Sequence, residues 1–283
     1  LTQESRDLNV DQIIVDEDDV FGDPVINKHG ETAFRASLTG TDVESGVNDF
    51  GIYRETQSGE LVQVARAGDA APYNEGNEVN FASLKNNDSK VDISPLLLND
   101  AGQIAFRSPL TGENVTPDND MGIYISDDGN LEQVVRTGQG VPDADDGVTF
   151  GSPNSPLSRL MLNEAGQIAF SGALDGDNVH SDNDIGIYAT DRDGVLRKIV
   201  REGDVFNVAD DPFFDVDDES LFEGDRIIDR ISFVYGRSGG ETGFNDLGEL
   251  GFRALFTDGS QGVFVSNAVA IPEPLAVALV AVG

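Results

Sequence analysis

Short apolar segments alternate with polar turns along the chain, and this pattern favours β-strands over helices. Ile104 and Phe106 would lie on one face of an extended segment, and Ala105 and Arg107 on the other. No segment combines a helical period of apolar residues with capping residues at its ends. Turn signals such as the Asp-Asp-Gly sequence at 127–129 separate the apolar segments. The pattern therefore predicts an all-β fold built from hairpins.

One motif, Asn-x-x-Gly-x-x-Ala-Phe, recurs along the chain and is followed by two further landmarks in a constant order. The landmarks are Gly-Ile-Tyr and a Val-Arg-x-Gly or Ala-Arg-x-Gly sequence, and the last unit has Gly-Val-Phe and lacks the arginine landmark. Such recurrence indicates tandem structural units. The motif begins at Asn27, Asn99, Asn163 and, in weaker form, Asn245; the second landmark begins at Gly51, Gly122, Gly186 and Gly262; the third ends at Gly68, Gly138 and Gly203.

Each unit is predicted to contain four short strands, which is the content of a β-propeller blade. We therefore predict a β-propeller-like domain over residues 1–268 with four four-stranded blades. A separate C-terminal segment is predicted over residues 269–283. The predicted units lie near 22–72, 73–142, 143–212, and 213–268 together with 8–21.

The last unit stops after its third strand, and the N-terminal segment is expected to supply the fourth. Residues 12–21 match residues 197–206, which contain the fourth strand of the third unit, at six of ten positions. A strand shared between the two chain ends would close the ring of blades and remove exposed sheet edges. The alternative is that the chain is a piece of a longer array of repeats.

The charge balance excludes several classes of partner. The chain has 18 Lys and Arg against 52 Asp and Glu, so its formal net charge is −34. Such a chain repels the phosphates of nucleic acids and anionic membranes, whereas cations and cationic partners are favoured. It has no Cys, which excludes disulfides, thiolate metal sites and a cysteine nucleophile. With 39% hydrophobic residues and 16 Phe, it can still form a sizeable core.

The C-terminal end carries a resemblance to a sorting signal. Pro272-Glu273-Pro274 is followed by an apolar segment over 275–283, which is shorter than the ~20 residues needed to span a bilayer. It resembles the start of the PEP-CTERM signal of exported bacterial proteins, which continues into a spanning segment and a basic tail and is processed by an exosortase. The four repeats resemble a family of exported proteins defined by the NxxGxxAF tandem repeat. The resemblance implies export to the cell surface or extracellular space, with membrane attachment only through the missing remainder of the anchor. It implies no established enzymatic activity.

Acidic loops precede the second landmark of three units and are candidate metal sites. Closely spaced oxygen ligands on a loop suit Ca²⁺, which takes 6–8 oxygens. Asn and Asp are also turn formers that bond their own backbone, and the pattern favours this turn chemistry over calcium. The candidate ligands are Asp118 and Asp120, Asp182 and Asp184, and Asn48 and Asp49.

Two further sets of residues are candidate ligand or interaction sites. Arg66, Arg136 and Arg201 recur in the third landmark, where pairing with carboxylates or carbonyls is favoured over binding an anionic ligand. The insertion over 204–229 interleaves acids with Phe, and its candidates are Asp215, Asp217 and Asp218. A loop packing its own Phe residues is favoured there over a partner or metal site.

Signals for catalysis are weak. The stretch 236–240 fits G-x-S-x-G, but both histidines, His29 and His180, precede it and no helix follows it. The sequence therefore predicts a non-catalytic exported surface or matrix protein, with Ca²⁺ as the candidate cofactor and extracellular polysaccharide or a surface protein as the candidate partner. A carbohydrate-binding or glycoside-hydrolysing propeller and a structural spacer are the alternatives.

Overall fold

The chain forms four antiparallel sheets, which confirms the all-β, β-propeller-like fold, but three of the sheets have five strands where four were predicted, because two short strands share the edge of one long strand. The computed structural model describes residues 12–14, 24–72, 79–83, 95–151, 157–208, 224–235 and 242–270, and for 12–14 the backbone alone. The first sheet contains β1 (Gln12–Ile14), β2 (Val25–Ile26), β3 (Thr32–Thr39), β4 (Phe50–Glu55) and β5 (Leu61–Arg66). The second contains β6 (Val79–Phe81), β7 (Leu97–Leu98), β8 (Ile104–Gly112), β9 (Met121–Asp127) and β10 (Asn130–Arg136). The third contains β11 (Thr149–Phe150), β12 (Leu157–Leu162), β13 (Ile168–Asp175), β14 (Ile185–Thr190) and β15 (Leu196–Arg201). The fourth contains β16 (Val205–Asn207), β17 (Asp225–Phe233), β18 (Leu250–Phe256) and β19 (Gln261–Ser266).

The sheets share one plan. In the second sheet, β7 pairs with the beginning of β8 and β6 with its end, and β9 and β10 follow in antiparallel order. The same plan holds in the first sheet, with β1 and β2 on β3, and in the third, with β11 and β12 on β13. The four sheets lie within 12–66, 79–136, 149–201 and 205–266.

The expectation that the N-terminal segment completes the last blade is wrong. Gln12 is paired with Thr39, and Ile14 with Ser37, so β1 belongs to the first sheet. The physical reason is that β3, β8 and β13 each need a partner along their second half. On β3 this partner is β1, as β6 is on β8 and β11 is on β13. The similarity between residues 12–21 and 197–206 reflects a shared local pattern and does not determine pairing.

The Ala-Phe pair of the repeat joins successive sheets. Ala105 packs in one core cluster with Phe170 of the third sheet, whereas Phe106 packs in another with Ala33 of the first. Neighbouring residues of a strand point to opposite faces, so the second and third units offer Ala to the following sheet and Phe to the preceding one. The predicted two faces of β8 are thereby confirmed.

The glycine of the Gly-Ile-Tyr landmark makes room for the tyrosine ring two residues later. A Cβ built on Gly122 would lie 2.7 Å from the Tyr124 hydroxyl oxygen. That ring is fully buried and stacks on Phe106 with the centroids 5.7 Å apart. Larger residues are therefore excluded from this position by packing.

Candidate functional site at the two ends of the domain

A ladder of asparagine side chains connects the Asn-x-x-Gly turns of successive sheets. The Nδ2 of Asn27 donates to the carbonyl of Asn99 at 3.0 Å, that of Asn99 to Asn163 at 3.0 Å, and that of Asn163 to Asn245 at 2.8 Å. The Oδ1 of each of these side chains accepts backbone N–H groups of its own turn, as at Gln167 N, 2.8 Å from Asn163 Oδ1. The invariant asparagine therefore stabilises its own turn and the contact with the next sheet. We call this end of the domain the turn end.

Charged residues follow the ladder asparagines and face one another at the turn end. The backbone N–H of Lys28 donates to Asp100, that of Asp100 to Glu164, and that of Glu164 to Asp246. A hydrogen bond to Asp100 and the charges of Asp100, Glu164 and Asp246 raise the pKa of Lys28. Because each turn is hydrogen-bonded to the next, all four turns are grouped at one end of the domain.

The acidic loops lie at the opposite end of the strands, which we call the loop end. In the loop before β9, Asn119 Oδ1 accepts Thr116 N at 2.8 Å and its Nδ2 donates to the Asn114 carbonyl at 3.1 Å. Asn183 and Asn48 make the same two kinds of bond in their own loops. The three loops therefore share one hydrogen-bonding pattern, although the first loop has one more residue between the bonded positions, and the amide of each central asparagine is used within its loop.

The recurring arginines hold these loops in place. The Nε of Arg136 donates to the Asn119 carbonyl at 2.6 Å, and Arg66 and Arg201 bond the carbonyls of Asn48 and Asn183 in the same way. The glycine of the arginine landmark has a positive φ, and a Cβ on Gly138 would lie 3.0 Å from the Asn119 Cβ. These contacts support the structural interpretation of the arginines that the sequence favoured.

The candidate metal ligands differ in their surroundings. Asp118 and Asp182 are exposed, whereas Asp120 and Asp184 are half-buried. Burial raises the pKa of Asp120, and the charge of Asp118 adds to this. Asp49 is buried and accepts the Ser83 hydroxyl at 2.6 Å.

The loop residues fit turn chemistry better than a metal cage. Within the described residues, no three His, Asp or Glu side chains converge as a group that could hold a metal ion. The Oδ1 atom of each of these asparagines already accepts a backbone N–H of its loop, which is the role expected in turn chemistry. Calcium binding at these loops stays a prediction.

Glu202 is a buried carboxyl group that sequence reasoning missed. It occupies the variable position of the arginine landmark, where the other units have Ala67 and Thr137, and its side chain is 6% exposed. Burial raises its pKa to about 7, the charges of Asp184 and Asp229 add to this rise, and a hydrogen bond from the Ile231 backbone opposes it. A comparison of the variable positions of the units would have identified Glu202. The same comparison would have identified Lys28, which stands where the other units have an acid at the turn end.

Several candidates fall outside the part of the chain that the structure describes. They are Asp215, Asp217 and Asp218 of the insertion, the stretch 236–240, and the segment 271–283 with its Pro-Glu-Pro sequence. The described residues contain no helix long and apolar enough to cross a bilayer.

Comparison with known proteins identifies a family for the chain. No curated protein matches it significantly. A family model matches residues 16–278, which is more than half of the chain. The chain therefore belongs to DUF7453, a family of unknown function.

Proposed function

We propose that this protein is a non-catalytic exported repeat module that binds cations or cationic groups of a partner through the acidic loops of the loop end. The observation that carries the proposal is the shared hydrogen-bonding pattern of three loops, each held by its own asparagine and an arginine. Such loops hold carboxylates at fixed positions without reorganisation on binding, which favours association.

The residues that recur from unit to unit support a scaffold role. The asparagine ladder, the Ala-Phe faces and the arginine contacts all act within the domain. The residues that remain free for binding are the exposed acidic residues of the loops, such as Asp118 and Asp182. The net charge of −34 favours cations as their ligands. The resemblance to exported repeat proteins supports a location at the cell surface or in the extracellular matrix. Calcium bridging to an anionic polysaccharide is one form that this binding would take.

The test is thermal unfolding in EDTA, in millimolar Ca²⁺ and in millimolar Mg²⁺. A ligand present at 100 times its dissociation constant adds about 2.7 kcal/mol, which gives a clear rise in Tm. We expect Ca²⁺ to raise the Tm of the natural chain and to have a smaller effect on the Asp118→Asn, Asp182→Asn variant. The matched control is Asp128→Asn, Asp193→Asn, which removes two exposed acids from the turn end. An equal rise in both variants would show general screening, and no rise in the natural chain would contradict cation binding.

The glycoside-hydrolysing alternative requires two carboxyl groups about 5–10 Å apart at an accessible site. Glu202 has a pKa of about 7, which suits a general acid. Its side chain is buried between the third and fourth sheets, so a polysaccharide cannot reach it there. This observation favours a structural role for Glu202.

A further inference from the structure

The fourth sheet has an edge that differs from those of the other three. In the first three sheets, β4, β9 and β14 are each covered on one side by a last strand, β5, β10 and β15. Their counterpart β19 pairs with β18, and in the described part of the chain no strand lies along its other side. The backbone groups of that edge are therefore placed for one more antiparallel strand.

Two valines on this strand are exposed where their counterparts are buried. Val263 and Val265 are 79% and 68% exposed. The aligned residues of the third sheet, Ile187 and Ala189, are 1% and 0% exposed because the fourth sheet packs on them. In the described residues no sheet packs on this face of β19, so the two valines are accessible to another chain.

The edge is also free of charge in a highly charged chain. No residue of β19 is ionisable, whereas the last strands of the other sheets all carry charged residues. Edge charges normally prevent pairing with another chain, so β19 is unprotected. Each chain has a net charge of −34, so two copies repel, and an uncharged contact strand is the place where this repulsion is weakest. The charged residues on the other edges are Arg66 on β5, Glu132 and Arg136 on β10, and Arg197, Lys198 and Arg201 on β15.

We propose that β19 is a self-association edge, on which a second copy of this chain adds its own β19 in antiparallel orientation. A twofold axis at Phe264 would place Val263 of each copy opposite Val265 of the other, on the same face of the joined sheet. The Phe264 ring points to the other face and packs on Phe206 and Phe252 of its own sheet, with centroids 4.6 and 5.7 Å apart. The strand is therefore self-complementary. This inference does not depend on the proposed function.

The oligomeric state of the full chain in solution tests the proposal. Light scattering after size exclusion should give a mass near twice 30.2 kDa for the natural chain, and the Val263→Asp, Val265→Asp variant should be monomeric. The control variant is Val47→Asp, Val195→Asp, because both valines are 47% exposed and lie outside β19. It adds the same two charges and should stay dimeric. Circular dichroism should show that both variants are folded.

Cysteine cross-linking tests the register, since the chain has no natural Cys. Val263→Cys and Val265→Cys chains, mixed under mild oxidation, should form a disulfide-linked heterodimer in preference to either homodimer. A natural chain that is monomeric at every concentration would overturn the proposal. So would a dimer that persists in the Val263→Asp, Val265→Asp variant, or cross-linking that favours homodimers.

Discussion

Substitution of Glu202 should change how the stability of this fold depends on pH. Its carboxyl lies at the junction of the third and fourth sheets, where it faces Asp184 of its own sheet and Asp229 and Arg230 of β17. In the preceding junction the same position is Thr137, whose hydroxyl bonds the backbone of Met121. Replacing Glu202 with Gln or Thr removes the one charge at this position and keeps a polar side chain.

The effect depends on pH in a defined direction. The folded chain holds the Glu202 proton up to a pH of about 7, whereas the unfolded chain releases it near the ordinary value of 4.5. The unfolded state therefore binds fewer protons between these values, and the free energy of unfolding falls as the pH rises through them. The difference between 4.5 and about 7 corresponds to roughly 3 kcal/mol, and most of this loss falls between pH 5 and pH 8.

The measurement is urea unfolding followed by circular dichroism at several pH values from 5 to 8. We expect Glu202→Gln to match the natural chain closely at pH 5 and to be more stable by about 2 kcal/mol or more at pH 8. Glu113→Gln removes an exposed acid and controls for the loss of one negative charge. The reciprocal change, Thr137→Glu, should create the same pH dependence in the junction of the second and third sheets. A stability difference between Glu202→Gln and the natural chain that does not vary with pH would refute the reasoning.

Two further predictions concern the repeat motif. Asn163→Ala removes the bonds to Gln167, Ala165 and the Asn245 carbonyl, so it should lower the free energy of unfolding by roughly 2–4 kcal/mol in a denaturation assay. Asn245 lies at the exposed end of the ladder, so Asn245→Ala should cost about 1 kcal/mol in the same assay. Equal costs would show that the bonds between sheets add nothing. Gly122→Ala forces a Cβ into the buried Tyr124 ring and should cost roughly 1–3 kcal/mol, while Gly140→Ala, which has open space around it, should change stability by less than about 0.5 kcal/mol. A tolerated Gly122→Ala would contradict the packing explanation of the landmark.

The strands and their faces could be predicted from the sequence because they depend on neighbouring residues alone. Alternation of Ile104 and Phe106 with Ala105 placed each side chain on its correct face. The recurrence of that pattern in four units then made a set of similar sheets the natural arrangement. Local periodicity contains this information without any knowledge of distant partners.

Pairing between distant segments could not be predicted in the same way. Residues 12–21 resemble a last strand, yet β1 pairs with β3, because backbone hydrogen bonds are indifferent to which of two similar segments supplies them. The ladder from Asn99 to Asn163 was also hidden, since the same asparagine would be expected in a simple turn. Its second bond, to the next sheet, depends on how closely the turns approach in space.

The recurring and the varying residues of the repeat therefore have different meanings. A residue that recurs in all units, such as the ladder asparagine, makes the same contact several times and reports on the scaffold. A residue that departs from its counterparts changes one junction or one edge alone, as Glu202 does where the other units have Thr or Ala, and as Val263 does where an equivalent Ile is buried. Because the recurring residues already make the contacts of the scaffold, these departures are where we expect the pH response and the association of this chain to be determined.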